Sequence, residues 1–544
     1  MNRSTLIVAV WLALSILHLG LSTRSDPGVY YDEVIQAVPA LDYLRGFQRV
    51  SVPPQVTAFD LYGRPLPWMT QPYMGALKSQ LLIPSFALFG ATPDVLRITT
   101  TVWGLLAIGL AMLFTRRLFG TGAACVAGTL LAVDPTWLFV ARHDWGSVSL
   151  ALLCRMGALL LVLRAWDSGR KLEAAAAGLV AGLAVYNKVD AVPFLAAATI
   201  AGALARPDAV RGLLGPRWRL LAWAAAGAVV GALPLILSAA RILDASGRLS
   251  DAAGLTGRIA VARATLDGSY FHRLIDTGGV FEALSQVDAP SWPLPMAGLA
   301  GLGVLTIWVL RGPRSAPATR GALFLLLAAL GTEAGLLALP AADRVHHALN
   351  VYPLPHLAVA GAGLFLWRRW DAVGALPRAG RAGLLALLAL LAAMGLRVID
   401  RTADLVEQTG GRGLWSDATT RLAASNDRSE TTFVCLDWGF QQSLAFQTER
   451  ARIVDAVWKL RWGHHQIEPW TLRGDTDHVY LLHEGDTAVF GLGEPFLEAA
   501  RALPSDRVEI ESWEDREGSS AFVSVRILGP HVVRYRDRYD IDLL

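Results

Sequence analysis

The sequence predicts a mainly α, polytopic membrane protein of about eleven transmembrane helices, with a small extracytoplasmic α/β domain at its C-terminal end. Three observations predict it. Of 544 residues, 53% are hydrophobic and 17% charged, and the apolar ones fall in repeated long runs, too apolar for an ordinary soluble enzyme of this size. Basic residues occupy every second connection between these runs. Past residue 400 the runs shorten, charge rises, and strand-like and helix-like pieces alternate.

The first run extends from Thr5 to about Leu21, behind Met1-Asn2-Arg3. No small-x-small cleavage pattern precedes Ser22–Asp26 and many further spans follow, so the run is read as an uncleaved helix rather than a signal peptide. Further spans are expected at 95–115, 121–140, 147–165, 172–187, 190–205, 220–240, 294–310, 321–339, 350–367 and 382–399. The segment 172–187 is short for a hydrocarbon core of about 30 Å. Basic residues gather at Arg116-Arg117, Arg164–Lys171, Arg206–Arg219, Arg311–Arg320 and Arg368–Arg381. This alternation puts the amino terminus in the cytoplasm and the loops 22–94, 141–146, 187–190, 241–293 and 340–349 outside, with the C-terminal domain. Residues 1–400 form the membrane domain, with large outer loops at 22–94 and 241–293, and 401–544 the soluble domain. The long loop 241–293 is read as a cover that orders over the cavity or as disordered chain.

Several function classes fall away. The net charge of +3 is spread between apolar runs rather than gathered on one face, so no nucleic-acid partner is implied. Cys125, Cys154 and Cys435 have no metal or disulfide spacing and read as small hydrophobes.

The cytoplasmic connections are short and basic. The outer ones hold Tyr31-Asp32-Glu33, Gln71-Pro72-Tyr73 followed by Lys78, then Arg142-His143-Asp144-Trp145-Gly146, Lys188-Val189-Asp190, and Asp343-Arg344-Val345-His346-His347. Ionisable groups at one membrane depth are costly unless paired or facing a wet cavity, and their convergence marks a candidate site. Only four lysines, at 78, 171, 188 and 459, occur among 49 basic residues, and two of the four sit at outer boundaries.

An acidic pair just after the first span, a Pro-containing piece and a lysine in the same outer loop, a second acidic residue in the next outer loop, and an outer C-terminal domain together resemble the GT-C integral membrane glycosyltransferases. The family-39 branch, with its protein O-mannosyltransferases and lipid A aminoarabinose transferases, is the most similar. The resemblance covers about residues 1–400, and it departs where Gln71-Pro72-Tyr73 replaces the branch's His-Pro-Pro stretch. It implies a polyprenyl-phosphate sugar donor, a lipid, glycan or protein acceptor, and a site facing outward from a plasma membrane of the bacterial inner type.

The residue types suit that chemistry. A base must take the acceptor proton; Asp32 is the candidate, with Glu33 beside it, although two carboxylates at a helix start also serve as caps. Asp144 is expected to orient the acceptor, to hold a metal, or to pair with Arg142 or His143. Lys78, Arg97 and Lys188 are candidates for the donor phosphate. The competing readings are snorkelling for Lys78, an interface position for Arg97 and a salt bridge to Asp190 for Lys188. Tyr31, His346 and His347 are candidate substrate contacts, with one of the adjacent histidines facing the cavity. A divalent metal on Asp32, Glu33 and Asp144 is left open. The tripeptide Asp437-Trp438-Gly439 repeats residues 144–146; coincidence is the simpler reading, with glycan binding by Asp437 the alternative. A transporter or flippase of a lipid-linked or small polar solute is the other function class. Internal hydropathy repeats and charged mid-membrane breaks would support it, and neither is evident.

Overall fold

The computed structural model describes residues 3–24, 26–48, 57–71, 73–239, 254–279, 293–313, 315–339, 344–371, 377–457, 477–491, 493–529, 533–535 and 541–543. Asp343, Pro72, Lys459 and nearly half of the expected cover, 241–253 and 280–292, lie outside the described residues. Each expected apolar run falls on helix. In chain order these are α1 (Arg3–Ser22), α2 (Tyr31–Val34), α3 (Ala37–Arg45), α4 (Leu77–Phe89), α5 (Pro93–Phe119), α6 (Thr121–Ala132), α7 (Pro135–His143), α8 (Val148–Ser168), α9 (Lys171–Asn187), α10 (Ala191–Ala205), α11 (Pro207–Leu214) and α12 (Trp218–Leu237). Helices Pro293–Arg311, Pro317–Ala338, Leu354–Asp371 and Pro377–Thr409 follow. Among the described residues seven helices are long and apolar enough to cross a membrane, or eight if α6 and α7 count as one bent span. The chain is an integral membrane protein. Helices α9 and α12 pack through small residues, where a Cβ on Gly182 or Gly231 would overlap the facing backbone.

The continuous span expected at 121–140 is instead broken, and α6 and α7 meet at 64°. The residue before a proline is driven out of the α region, and here that residue is Asp134, ahead of Pro135. Its side chain starts the new helix by accepting from the Trp137 amide at 2.7 Å. The break is bonded to its surroundings. His356 Nε2 lies 3.0 Å and the Tyr352 hydroxyl 3.2 Å from Asp134 Oδ2, and the same hydroxyl lies 3.1 Å from the Thr265 carbonyl. A helix of the outer loop, Leu255–Asp267, is thereby tied to the bend.

The segment 22–94 is built from α2, α3, a three-stranded sheet of β1 (Thr57–Leu61), β2 (Arg64–Gln71) and β3 (Met74–Gly75), and α4. The last membrane helix runs on to Thr409, past residue 400. Beyond it a five-stranded sheet has the order β5 (Arg452–Asp455), β4 (Thr431–Cys435), β6 (Asp477–Leu482), β8 (Ser520–Ile527), β7 (Val508–Glu514). The first three are parallel and the last two join antiparallel. Phe433, Val479, Leu481, Phe440 and Leu444 of this domain share one apolar core with Val34, Val38, Leu82, Phe86 and Leu96 of the membrane domain's outer face. The soluble part is therefore seated on the acidic turn by hydrophobic burial.

Asp134→Ala removes the cap and leaves His356 buried without its carboxylate partner, while Tyr352 keeps only the Thr265 carbonyl. It is expected to destabilise the protein by about 3 kcal/mol, read as a lower thermal unfolding midpoint in detergent. Asp134→Asn, which keeps an acceptor for the cap, is expected to cost less than half as much.

Candidate active site

Helix α2 is a single turn, and its N-cap Tyr30 makes no side-chain capping bond. One isolated turn does not hold itself, so the places of Asp32 and Glu33 are imposed by tertiary partners. Arg97, in the first turns of α5, meets Glu33 through a fork, Nε to Oε1 at 2.7 Å and Nη2 to Oε2 at 3.0 Å. The same Nη2 donates to the carbonyls of Pro27 and Gly28 at 3.2 and 3.3 Å. Arg142, at the end of α7, makes a second fork to Asp26 at 3.0 and 2.6 Å. Burial acts to raise the Glu33 carboxyl, but the Arg97 charge, the nearby His143 ring and the Arg97 hydrogen bonds outweigh it and hold it at about 2.

Residues 144–147 form the second part of the site. Asp144, Gly146 and Ser147 all adopt left-handed φ values, of 39°, 76° and 58°, a strained turn of the kind that surrounding contacts must enforce. Those contacts are specific. Asp144 Oδ2 lies 3.0 Å from Lys78 Nζ, and both side chains are fully buried. Lys78 also donates to the Asp144 carbonyl at 3.0 Å and the Glu33 carbonyl at 3.4 Å. The Trp145 indole N–H donates to Asp32 Oδ2. Ser147 and Asn187 exchange hydrogen bonds at 2.7 and 3.1 Å, which fixes the neighbouring Lys188.

Lys188 pairs with Asp190 at 3.1 Å, and His347 Nδ1 lies 2.9 Å from the same carboxylate. Burial lowers the proton affinity of Lys188, against the opposing charges of Asp190, Asp32 and Asp144. The His346 ring packs edge-on against Trp145 at 5.3 Å and 4.3 Å from the His347 ring.

Asp32 is different in kind. It is half-buried where Glu33 and Asp144 are buried, and among the described residues it forms no ion pair; its partner is the Trp145 indole. Burial raises its proton affinity above the ordinary carboxylate value, while the Trp145 hydrogen bond and the charges of Arg344, Lys188 and Lys78 oppose the rise. A carboxylate of this kind, facing a ring of cations, can accept a proton from a bound hydroxyl.

The structure thus brings Asp32, Glu33, Lys78, Arg97, Asp144, Lys188, His346 and His347 to one region at one end of the helix bundle. Lys78 pairs with Asp144 in the interior rather than snorkelling, Asp144 takes Lys78 rather than Arg142 or His143, and Lys188 forms the salt bridge to Asp190. Tyr31 turns away, its ring 4.6 Å from Trp438 and its hydroxyl 3.5 Å from Gln441 Oε1. Among the described residues no group of three or more His, Cys, Asp or Glu is placed to hold a metal ion. With Glu33 and Asp144 each taken by a cation, the set Asp32, Glu33 and Asp144 does not fit a divalent ion.

Two features escape the sequence reading. Asp437 has its carboxylate filled within its own domain, by the amides of Trp438, Val489 and Phe490 and by His483. The repeated tripeptides nevertheless meet, because Trp145 and Trp438 lie 5.4 and 5.8 Å from the Tyr30 ring, both edge-on. The repeat was the available signal. Trp145, the hydrogen-bond partner of Asp32, was visible as one half of it.

A family model described as dolichyl-phosphate-mannose-protein mannosyltransferase matches residues 74–237, a stretch that holds Lys78, Arg97, Asp144 and Lys188. Among curated proteins no sequence relative matches. The structure is similar to that of ArnT from Cupriavidus metallidurans bound to undecaprenyl phosphate, at 14% identity over 97% of this chain and 99% of that one, with a TM-score of 0.60. The apo state of ArnT gives 14% identity over 97% and 100%, with a TM-score of 0.55. Lys78→Met, which leaves Asp144 buried and unpaired, is expected to cost about 3 to 5 kcal/mol of stability. Adding Asp144→Asn is expected to restore part of it, as read by thermal unfolding of the single and double variants. The chain thus shares the fold of ArnT over nearly its whole length, and its residues 74–237 are similar to the dolichyl-phosphate-mannose-protein mannosyltransferase family.

Proposed function

We propose that the protein moves a sugar from a polyprenyl-phosphate carrier to a lipid, glycan or protein acceptor, with Asp32 as general base. The observation that carries this reading is the state of Asp32, a half-buried carboxylate without an ion pair among the described residues, surrounded by the charges of Lys78, Lys188 and Arg344. The donor class rests on the names of the relatives: one is a dolichyl-phosphate-mannose family, and ArnT is bound to undecaprenyl phosphate. The same likeness favours transfer over the transporter or flippase alternative.

The acceptor hydroxyl gives its proton to the free carboxylate oxygen of Asp32, and its oxygen bonds to the anomeric carbon. The bond from that carbon to the phosphate oxygen breaks, and its electron pair leaves on the polyprenyl phosphate. Lys78, Lys188 and Arg344 supply the positive field that stabilises the leaving phosphate. Asp144 and Asp190 hold the two lysines in place, and Arg97 holds Glu33 beside the base. His346 and His347 form a wall of the substrate space, and Tyr31 seats the C-terminal domain. No step is routed through a metal.

The site lies outside a plasma membrane of the bacterial inner type, with the amino terminus in the cytoplasm. Support comes from the exposed basic residues at the opposite helix ends, such as Arg117, Arg164 and Arg170 with side chains 54%, 70% and 73% exposed.

Purified protein incubated with radiolabelled polyprenyl-phosphate sugars and a panel of lipid and glycan acceptors tests the assignment. Asp32→Asn is expected to lower kcat by about 100- to 10,000-fold while donor binding persists. Because burial raises the Asp32 proton affinity, kcat/KM of the wild type should fall as pH drops through a limb above the ordinary carboxylate range. Absence of donor consumption, or full activity in Asp32→Asn, overturns the proposal.

A further inference from the structure

We infer that Trp415, at the junction between the last membrane helix and the C-terminal domain, is a positioning residue for Asp32. The inference rests on Asp32 as the base. The α2 turn lacks a side-chain cap and is only four residues long, so contacts on both sides must set its place. One side is electrostatic, the forks of Arg97 and Arg142. The other side is aromatic, and its centre is Trp415.

The Trp415 ring lies flat on Tyr30, with centroids 3.8 Å apart and planes within 4°. The Tyr30 hydroxyl is buried and finds no hydrogen-bond partner among the described residues, so ring contacts rather than a polar bond hold this side chain. Tyr30 stands two residues before Asp32. The same indole of Trp415 stands edge-on to Trp145 at 5.8 Å and 74°, and Trp145 is the group that donates to Asp32. One ring therefore touches both the main-chain neighbour of the base and its hydrogen-bond donor.

Trp415 is itself fixed. Its indole N–H donates to the Gly279 carbonyl at 3.4 Å, its carbonyl accepts from the Gly28 amide at 2.8 Å, and its far edge meets Phe271 at 5.2 Å. The chain reaches this position through Gly410 and Gly411, at φ of 71° and 89°; a side chain on Gly411 would collide with the Trp415 carbonyl. Residue 415 is only 1% exposed. It lies outside the expected membrane domain and about 380 positions from the base, yet it packs directly beneath the acidic turn.

A misplacement of about 1 Å in a reacting group can cost about 100-fold, whereas the lysines proposed for the donor phosphate are anchored by their own carboxylates, Asp144 and Asp190. In the full chain, Trp415→Ala is expected to lower kcat by about 10- to 100-fold with the donor KM changed less than about 2-fold. Trp415→Phe keeps a flat ring over Tyr30 and is expected to recover most of the rate, while Trp415→Leu, similar in apolar bulk, is not. Asp32→Asn is assayed beside them. Wild-type kcat in Trp415→Ala, or equal rates in the Phe and Leu variants, overturns the role of Trp415. Should the Ala variant fail to fold, the Phe and Leu pair still decides. Activity retained in Asp32→Asn overturns the base assignment instead, whatever the Trp415 variants do.

Discussion

Charged side chains buried at one end of a membrane bundle are tolerable only when paired or hydrogen-bonded, and this constraint organises the structure. Arg97 takes Glu33, Arg142 takes Asp26, Lys78 takes Asp144 and Lys188 takes Asp190. The first three pairs join separate segments, and Asp190 reaches a distant one through His347, so the pairing also determines which segments meet. When the four are made, Asp32 is left with an indole N–H in place of a cation. Under the proposed function, catalytic capacity is what the pairing leaves over: a carboxylate in the field of several cations and in an ion pair with none among the described residues.

The turn at residues 144–147 converts the pairs into a geometry. Its successive residues bind Lys78, Asp32 and Asn187, and Gly146 lies against His346, where a Cβ would come within 3.1 Å. Three left-handed residues in four cost of the order of 1 to 3 kcal/mol each where they are not glycine. That strain persists because buried bonds on every side hold it. A site built this way has little freedom to drift, which suits a reaction whose rate depends on placing a base against an acceptor.

Much of the fold was legible in the sequence, because its cause is local. Apolar runs mark the helices whatever they pack against, and the strand-like pieces at 432–436, 478–482 and 521–525 fall on β4, β6 and β8. The bend at Asp134 was not read, although Asp-Pro is a helix-start signal, because hydropathy averages over the break. At the site, residue types were legible and partners were not. Lys78 and Asp144 are 66 positions apart, and each alone reads equally well as a ligand or as a structural charge. Trp145 was harder still. Tryptophan near a membrane boundary is common, and only the structure shows its N–H on Asp32.

The shared core between the two parts of the chain bears on how such an enzyme can be divided. Val29, Val34 and Val38 bury against Phe440, Leu444 and Phe446, and Ser443 donates to the Val29 carbonyl at 2.8 Å. Removing the C-terminal domain would expose that face of the outer loop and take away the stack on Tyr30 at once. The acidic turn is too short to keep its shape from within, and the arginine forks grip Asp26 and Glu33 on one side only. The C-terminal domain thus becomes part of the proposed active site through hydrophobic burial. Under the proposed function, its contribution is the rigidity of the turn that carries Asp32.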